Sequence, residues 1–135
     1  MLTIQSLHHI SLVVRDVAAS KQFYCQVLNM QDVARPANFQ FKGAWLRAGT
    51  AEIHLIQADD AIQAPGDGPA HPTERHGPTF ARHFCLQVND VEQMLAALRL
   101  HNIAIVAGPR PRGDGPTQTY VFDPDGHLVE LVCLT

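Results

Sequence analysis

Four side chains in this sequence have the types and spacing to hold a divalent metal ion: His9, His54, His83 and Glu130. His9 and His83 open two copies of one phrase. The first reads His9-Ile10-Ser11-Leu12-Val13-Val14-Arg15-Asp16-Val17, and the second His83-Phe84-Cys85-Leu86-Gln87-Val88-Asn89-Asp90-Val91. In each copy, alternation sets aliphatic residues on one face of a strand and the histidine on the other. His54 and Glu130 hold matching places in two later strands, Ile53-His54-Leu55 and Val129-Glu130-Leu131. Glu130 has Leu128 and Val132 as same-face neighbours, where an unpaired carboxylate is costly to bury. A cation shared with His9 and His83 would compensate it. Two or three imidazoles plus one carboxylate on rigid strands suit Zn²⁺, Ni²⁺, Fe²⁺ or Mn²⁺. A lone strand histidine is ordinarily a surface or core residue; recurrence in register is what makes these four a candidate site.

The elements that must position them repeat as well. The phrase recurs after 74 residues in a chain of 135, which points to two copies of one supersecondary unit related by a pseudo-twofold. In the first copy, residues 7–14 read as a strand and Asp16 as the N-cap of a helix running to about Leu28, with Asn29 as its terminator. Residues 31–36 and 38–48 read as strands, and Gly49-Thr50 turns the chain into a fourth around His54. The second copy has a strand at 82–88 and a helix capped by Asp90, with Val91, Met94, Leu95 and Leu98 on one stripe. Strands at 103–107, 117–122 and 128–134 follow, with a loop at 108–116 and a turn at Asp123-Pro124-Asp125-Gly126. The expectation is one α+β domain over residues 1–135. It comprises a βαβββ module at about 5–57, a linker at 58–80 rich in proline and glycine, and a second βαβββ module at 81–135. The linker is long enough to serve as a lid or an arm.

Composition narrows the function classes. Hydrophobic residues make up 46% and charged residues 17%, as in an ordinary globular domain, and the net charge of −3 gives no electrostatic footprint for nucleic acid or anionic membranes. No stretch is apolar enough to span a bilayer, and the N-terminal residues lack the pattern of a signal peptide. Three cysteines without a CxxC pair favour a reduced, cytoplasmic protein. Cys85 shares a face with His83 and reads as a wall residue, while His71, His76, His101 and His127 fall in loops, a helix end and a turn.

Four stretches together resemble the vicinal oxygen chelate superfamily of glyoxalase I, extradiol dioxygenases, fosfomycin-resistance proteins and bleomycin-binding proteins. They are Leu7-His8-His9 through Val17, Phe23-Tyr24-Cys25-Gln26-Val27-Leu28, Arg82-His83-Phe84, and Asp123-Pro124-Asp125-Gly126-His127-Leu128-Val129-Glu130-Leu131. The resemblance implies paired βαβββ modules forming a curled mixed sheet around a metal cleft, in a homodimer. It places His9, His83 and Glu130 on the metal ligands, and His54 where glyoxalase I has a glutamate ligand. His54 is therefore either a further ligand or a group beside the metal.

Three functions compete. In a glyoxalase-like lyase or isomerase, the metal would chelate vicinal oxygens of a small substrate and stabilise an enediolate, with Glu130 or His54 carrying the proton. Arg47 or Arg112 would hold a substrate carboxylate, and Trp45 and Tyr120 would line the cleft. The same ligands form the 2-His-1-carboxylate set of an Fe²⁺ extradiol-type dioxygenase, with His54 and Tyr120 as acid–base groups. Alternatively, Phe39, Phe41, Trp45 and Tyr120 would line the cleft of a non-catalytic drug-binding resistance protein.

Overall fold

The computed structural model describes residues 1–62, 79 and 82–134; most of the linker expected at 58–80 lies outside them. The chain divides into two compact units, the first ending at residue 65 and the second beginning at 66. Each carries one four-stranded mixed sheet, and the class is α+β, as the sequence predicts.

In the first unit, strand β1 (Ile10–Val14) is followed by helix α1 (Val17–Lys21), β2 (Gln31–Val33), β3 (Gly43–Ala48) and β4 (Ala51–Gln57). The sheet order is β1-β4-β3-β2, with β1 parallel to β4 and the other pairs antiparallel. Asp16 caps α1 by accepting from the Ala18 N–H at 2.9 Å. Beyond Lys21 the helix widens into a π-type segment, Gln22–Val27, where Leu28 N–H donates to the Phe23 carbonyl five residues back. Asn29 ends it in the left-handed region at φ 56°. Leu12, Val14, Ala44, Leu46, Ile53 and Leu55 form the buried face of the sheet, and Phe23, Tyr24 and Val27 are the buried residues of the helical segment. Strand β1 begins at Ile10 rather than residue 7, so His9 sits just before it, and β2 and β3 are shorter than expected.

The second unit repeats the design with β5 (His83–Val88), α2 (Val91–Leu100), β6 (Ile105–Pro111), β7 (Thr117–Phe122) and β8 (Leu128–Cys133) in the order β5-β8-β7-β6. Asp90 caps α2 through the Gln93 N–H at 2.7 Å, and Met94 and Leu98 bury its stripe. Gly126 takes φ 83° in the turn before β8, the conformation that favours glycine there. Residues 108–111, expected in a loop, belong to β6: an edge strand tolerates the two prolines, and its pairing with β7 shifts register twice. Every residue of β8 is buried, since this strand lies inside the sheet and is covered on both faces.

Candidate functional site

Register decides which side chains meet. In the first unit Ser11 pairs with His54, and His54 with Trp45; in the second, Cys85 pairs with Glu130, and Glu130 with Tyr120. His54 and Glu130 thus hold the same rung of the two sheets, as the matching of the closing strands predicts.

In the first unit that rung carries a stack of rings. The His54 ring lies 4.3 Å from Trp45 at 4° and 3.9 Å from His9 at 18°. The His8 Nδ1 atom approaches His9 Nδ1 at 2.8 Å, so one of the two nitrogens carries a proton there. Desolvation lowers the pKa of His9, and the neighbouring His54 and His8 push it the same way, which favours the neutral, ligating form. Phe39 extends the aromatic wall to Trp45 and Phe41, with centroids 5.4 and 5.5 Å away. A cleft of about 390 Å³ opens between these rings, His9, His54 and Ser11. Two groups here were not anticipated. Glu52 accepts from Arg47 and contacts His54, and the Arg35 guanidinium lies over Phe41 while donating to its carbonyl at 2.9 Å.

In the second unit His83 Nε2 stands 3.0 Å from Glu130 Oε2, the imidazole N–H donating to the carboxylate. Gln118 Nε2 donates to the other oxygen, Oε1, at 2.8 Å and to the Tyr120 hydroxyl at 3.2 Å. Glu130 is 6% exposed, so its charge is held by these donors. The Tyr120 ring meets His83 edge-on at 5.5 Å, and burial, followed by the Glu130 charge, raises the pKa of its hydroxyl. Alternation placed Gln118 on the Glu130 face, two residues before Tyr120, yet a glutamine there gave no reason to single it out.

The arginines expected to hold substrate are engaged with carboxylates of the chain. Arg47 donates through Nε and Nη2 to Glu52, and Arg112 through Nε and Nη2 to Asp114. Each pair lowers the pKa of its carboxylate; for Glu52 the hydrogen bond with His54 is the larger cause.

The donor set can be tested against a metal ion from one distance. Two ligands bound at about 2.1 Å in neighbouring octahedral positions have their donor atoms about 3.0 Å apart. The separation between His83 Nε2 and Glu130 Oε2 is 3.0 Å, a hydrogen-bond distance that also matches the span of two such ligands. Among the described residues, neither unit by itself gathers three His, Cys, Asp or Glu side chains into a metal-holding group. His9 with His54, and His83 with Glu130, are therefore two pairs of candidate ligands, one in each unit.

Comparison with known proteins extends this geometry. Residues 6–131 match the family model described as the glyoxalase/bleomycin resistance protein/dioxygenase superfamily. The protein YaeR of Escherichia coli is 33% identical over 137 residues, covering 97% of this chain and 98% of that one. Glyoxylase I 4 of Arabidopsis thaliana is 28% identical over 130 residues, covering 96% of this chain and 71% of its own length. A mutant fosfomycin resistance protein FosX from Listeria monocytogenes, solved with manganese(II) and a dihydroxypropylphosphonic acid, superposes with a TM-score of 0.71 at 21% identity. That alignment covers 98% of this chain and 95% of the other. Among the described residues no helix is long and apolar enough to cross a membrane.

Proposed function

Since the chain belongs to the glyoxalase/bleomycin resistance protein/dioxygenase superfamily, we propose that it is a metal-dependent, glyoxalase-like lyase or isomerase acting on a small substrate with vicinal oxygens. The observation that carries this reading is the His83–Glu130 pair, a buried carboxylate and an imidazole spaced as two ligands of one ion. His9, His83 and Glu130 would hold the ion, with His54 as a fourth ligand or as the proton carrier beside it; Mn²⁺, one of the metals the ligand set suits, is the ion in the FosX structure. The chemistry that such an ion supplies when bound is Lewis-acid stabilisation of negative charge developing on the paired oxygens of the substrate.

The rest falls to the side chains of the chain. Gln118 donates to Oε1 of Glu130 and His83 to Oε2, so these two side chains orient the carboxylate that, when loosely held, would take a substrate proton and return it to the neighbouring carbon. Tyr120 donates beside the developing charge, its proton retained by the raised pKa. Phe39, Phe41 and Trp45 keep water from an apolar part of the substrate. The working form is proposed to be a homodimer, as the family resemblance implies.

Two imidazoles and a carboxylate also suit ferrous iron and O₂, so metal identity separates lyase from extradiol-type dioxygenase chemistry. The test is the metal content of tag-free protein purified without chelator, alongside His83→Ala and Glu130→Ala. Near-stoichiometric nickel, zinc or manganese, lost in both variants, is the expected result. Iron, with oxygen uptake on catechols, would favour the dioxygenase. Absence of metal even after reconstitution would overturn both enzyme readings in favour of a drug-binding module.

A further inference from the structure

A carboxylate with no part in the metal-site reading stands against His54. Glu52 lies two residues before His54 on β4 and so projects from the same face. Its cross-strand partner is Arg47, whose Nε and Nη2 donate to Oε2 at 3.0 and 2.9 Å. The other oxygen, Oε1, is 2.7 Å from His54 Nε2.

The proton in that last contact can be located. An ionised carboxylate only accepts hydrogen bonds, and a neutral imidazole has one N–H and one lone pair. With Glu52 held as a carboxylate by the Arg47 guanidinium, the short contact requires the hydrogen on Nε2, which in the neutral ring leaves the lone pair on Nδ1. Trp45 stacked on the ring at 4.3 Å and His9 at 3.9 Å hold its plane, so that Nε2 rather than Cε1 stays turned to Glu52.

We propose that Glu52, anchored by Arg47, is a positioning residue that fixes His54 as the Nε2–H tautomer and reserves Nδ1 as the nitrogen able to bind a metal ion or take a proton. What Nδ1 is used for rests on the function proposed above; the tautomer itself does not. The arrangement sets a carboxylate behind an imidazole, which fixes ring orientation whether the other nitrogen meets a metal or a proton. An Arg–Glu pair serving stability alone would leave the tautomer of His54 untouched.

Long-range ¹H–¹⁵N spectra of the full chain, freed of metal at neutral pH, distinguish a protonated ring nitrogen from one carrying a lone pair. His54 signals are assigned by their loss in His54→Gln. The expected wild-type result is a bias toward Nε2–H of about tenfold or more, the size of a charge-assisted hydrogen bond. In Glu52→Ala the ratio should fall to that of the exposed His101, with Glu52→Asp recovering part of the bias and Arg47→Ala losing part of it. A proton on Nδ1 in the wild type would overturn the proposal, as would an unchanged bias in a folded Glu52→Ala protein. Should Glu52→Ala not fold, the wild-type tautomer and Arg47→Ala decide the matter. A locked tautomer in a protein that takes up no metal would remove the enzyme reading and leave the role of Glu52 standing.

Discussion

His83 and Glu130 meet across neighbouring parallel strands, with Nε2 of one 3.0 Å from Oε2 of the other. The contact joins residues 47 apart and spans one step of the ladder, His83 being paired in register with Leu128. Without metal, this hydrogen bond and the one from Gln118 are what keep the Glu130 carboxylate in a strand otherwise made of apolar residues and Cys133. Glu130→Ala should therefore destabilise the metal-free protein by about 2–4 kcal/mol, through the lost volume and two donors left without their acceptor. Glu130→Gln keeps the volume and should cost about 1 kcal/mol. Urea unfolding in chelator measures both, and an Ala variant within about 0.5 kcal/mol of wild type would mean the network holds nothing.

Cys85 faces the same carboxylate and gives a pH-dependent signature. Although the residue has surface open to solvent, burial of the thiol pushes its pKa up to about 11, and the Glu130 charge adds to the effect. Alkylation of Cys85 in the metal-free protein should be slow at pH 8, where about one thiol in a thousand is ionised, and should rise about tenfold per unit to pH 10. Glu130→Gln should move the profile to lower pH. The sign for stability follows from the folded pKa lying above the unfolded value near 8.5: the unfolded chain loses this proton first, so the contribution is intact below about pH 8.5 and declines as pH rises toward 11. Peptide mass spectrometry after timed alkylation reads the rate, and a plateau already at pH 9 would contradict it.

Trp45 is the single tryptophan of the chain and stacks on His54, so its emission reports on the first pair of candidate ligands. Adding Ni²⁺ or Mn²⁺ to the metal-free protein should change Trp45 fluorescence saturably. In His83→Ala the midpoint should rise by about tenfold or more. Metal binding by equilibrium dialysis with no change in emission would place the ion away from His9 and His54.

Much of this was legible because strands constrain more than composition does. Alternation fixed the face of His83, and the shared phrase fixed its partner copy; register then put His54 opposite Ser11 and Glu130 opposite Cys85. Glu52 was not legible as a participant. Its spacing from His54 was visible, yet an Arg–Glu pair across a hairpin ordinarily reads as a solvated ion pair, and only the 2.7 Å contact distinguishes it. The start of β1, the widened turn after Lys21 and the pairing of Gly108-Pro109-Arg110-Pro111 were missed because they depend on local hydrogen bonds that side-chain type does not report.

In both units the strand made last lies inside its sheet: β4 between β1 and β3, and β8 between β5 and β7. During synthesis the opening strand of each unit must wait without its parallel partner while the helix and two further strands are made. The hairpins β3–β4 and β7–β8 can zip locally, but β1 and β5 dock only onto a finished strand. His83 thus meets Glu130 only at the closing step of its unit, when β5 docks onto β8. Under the proposed function, ion capture by these two residues would be a late event, a seal on a completed sheet.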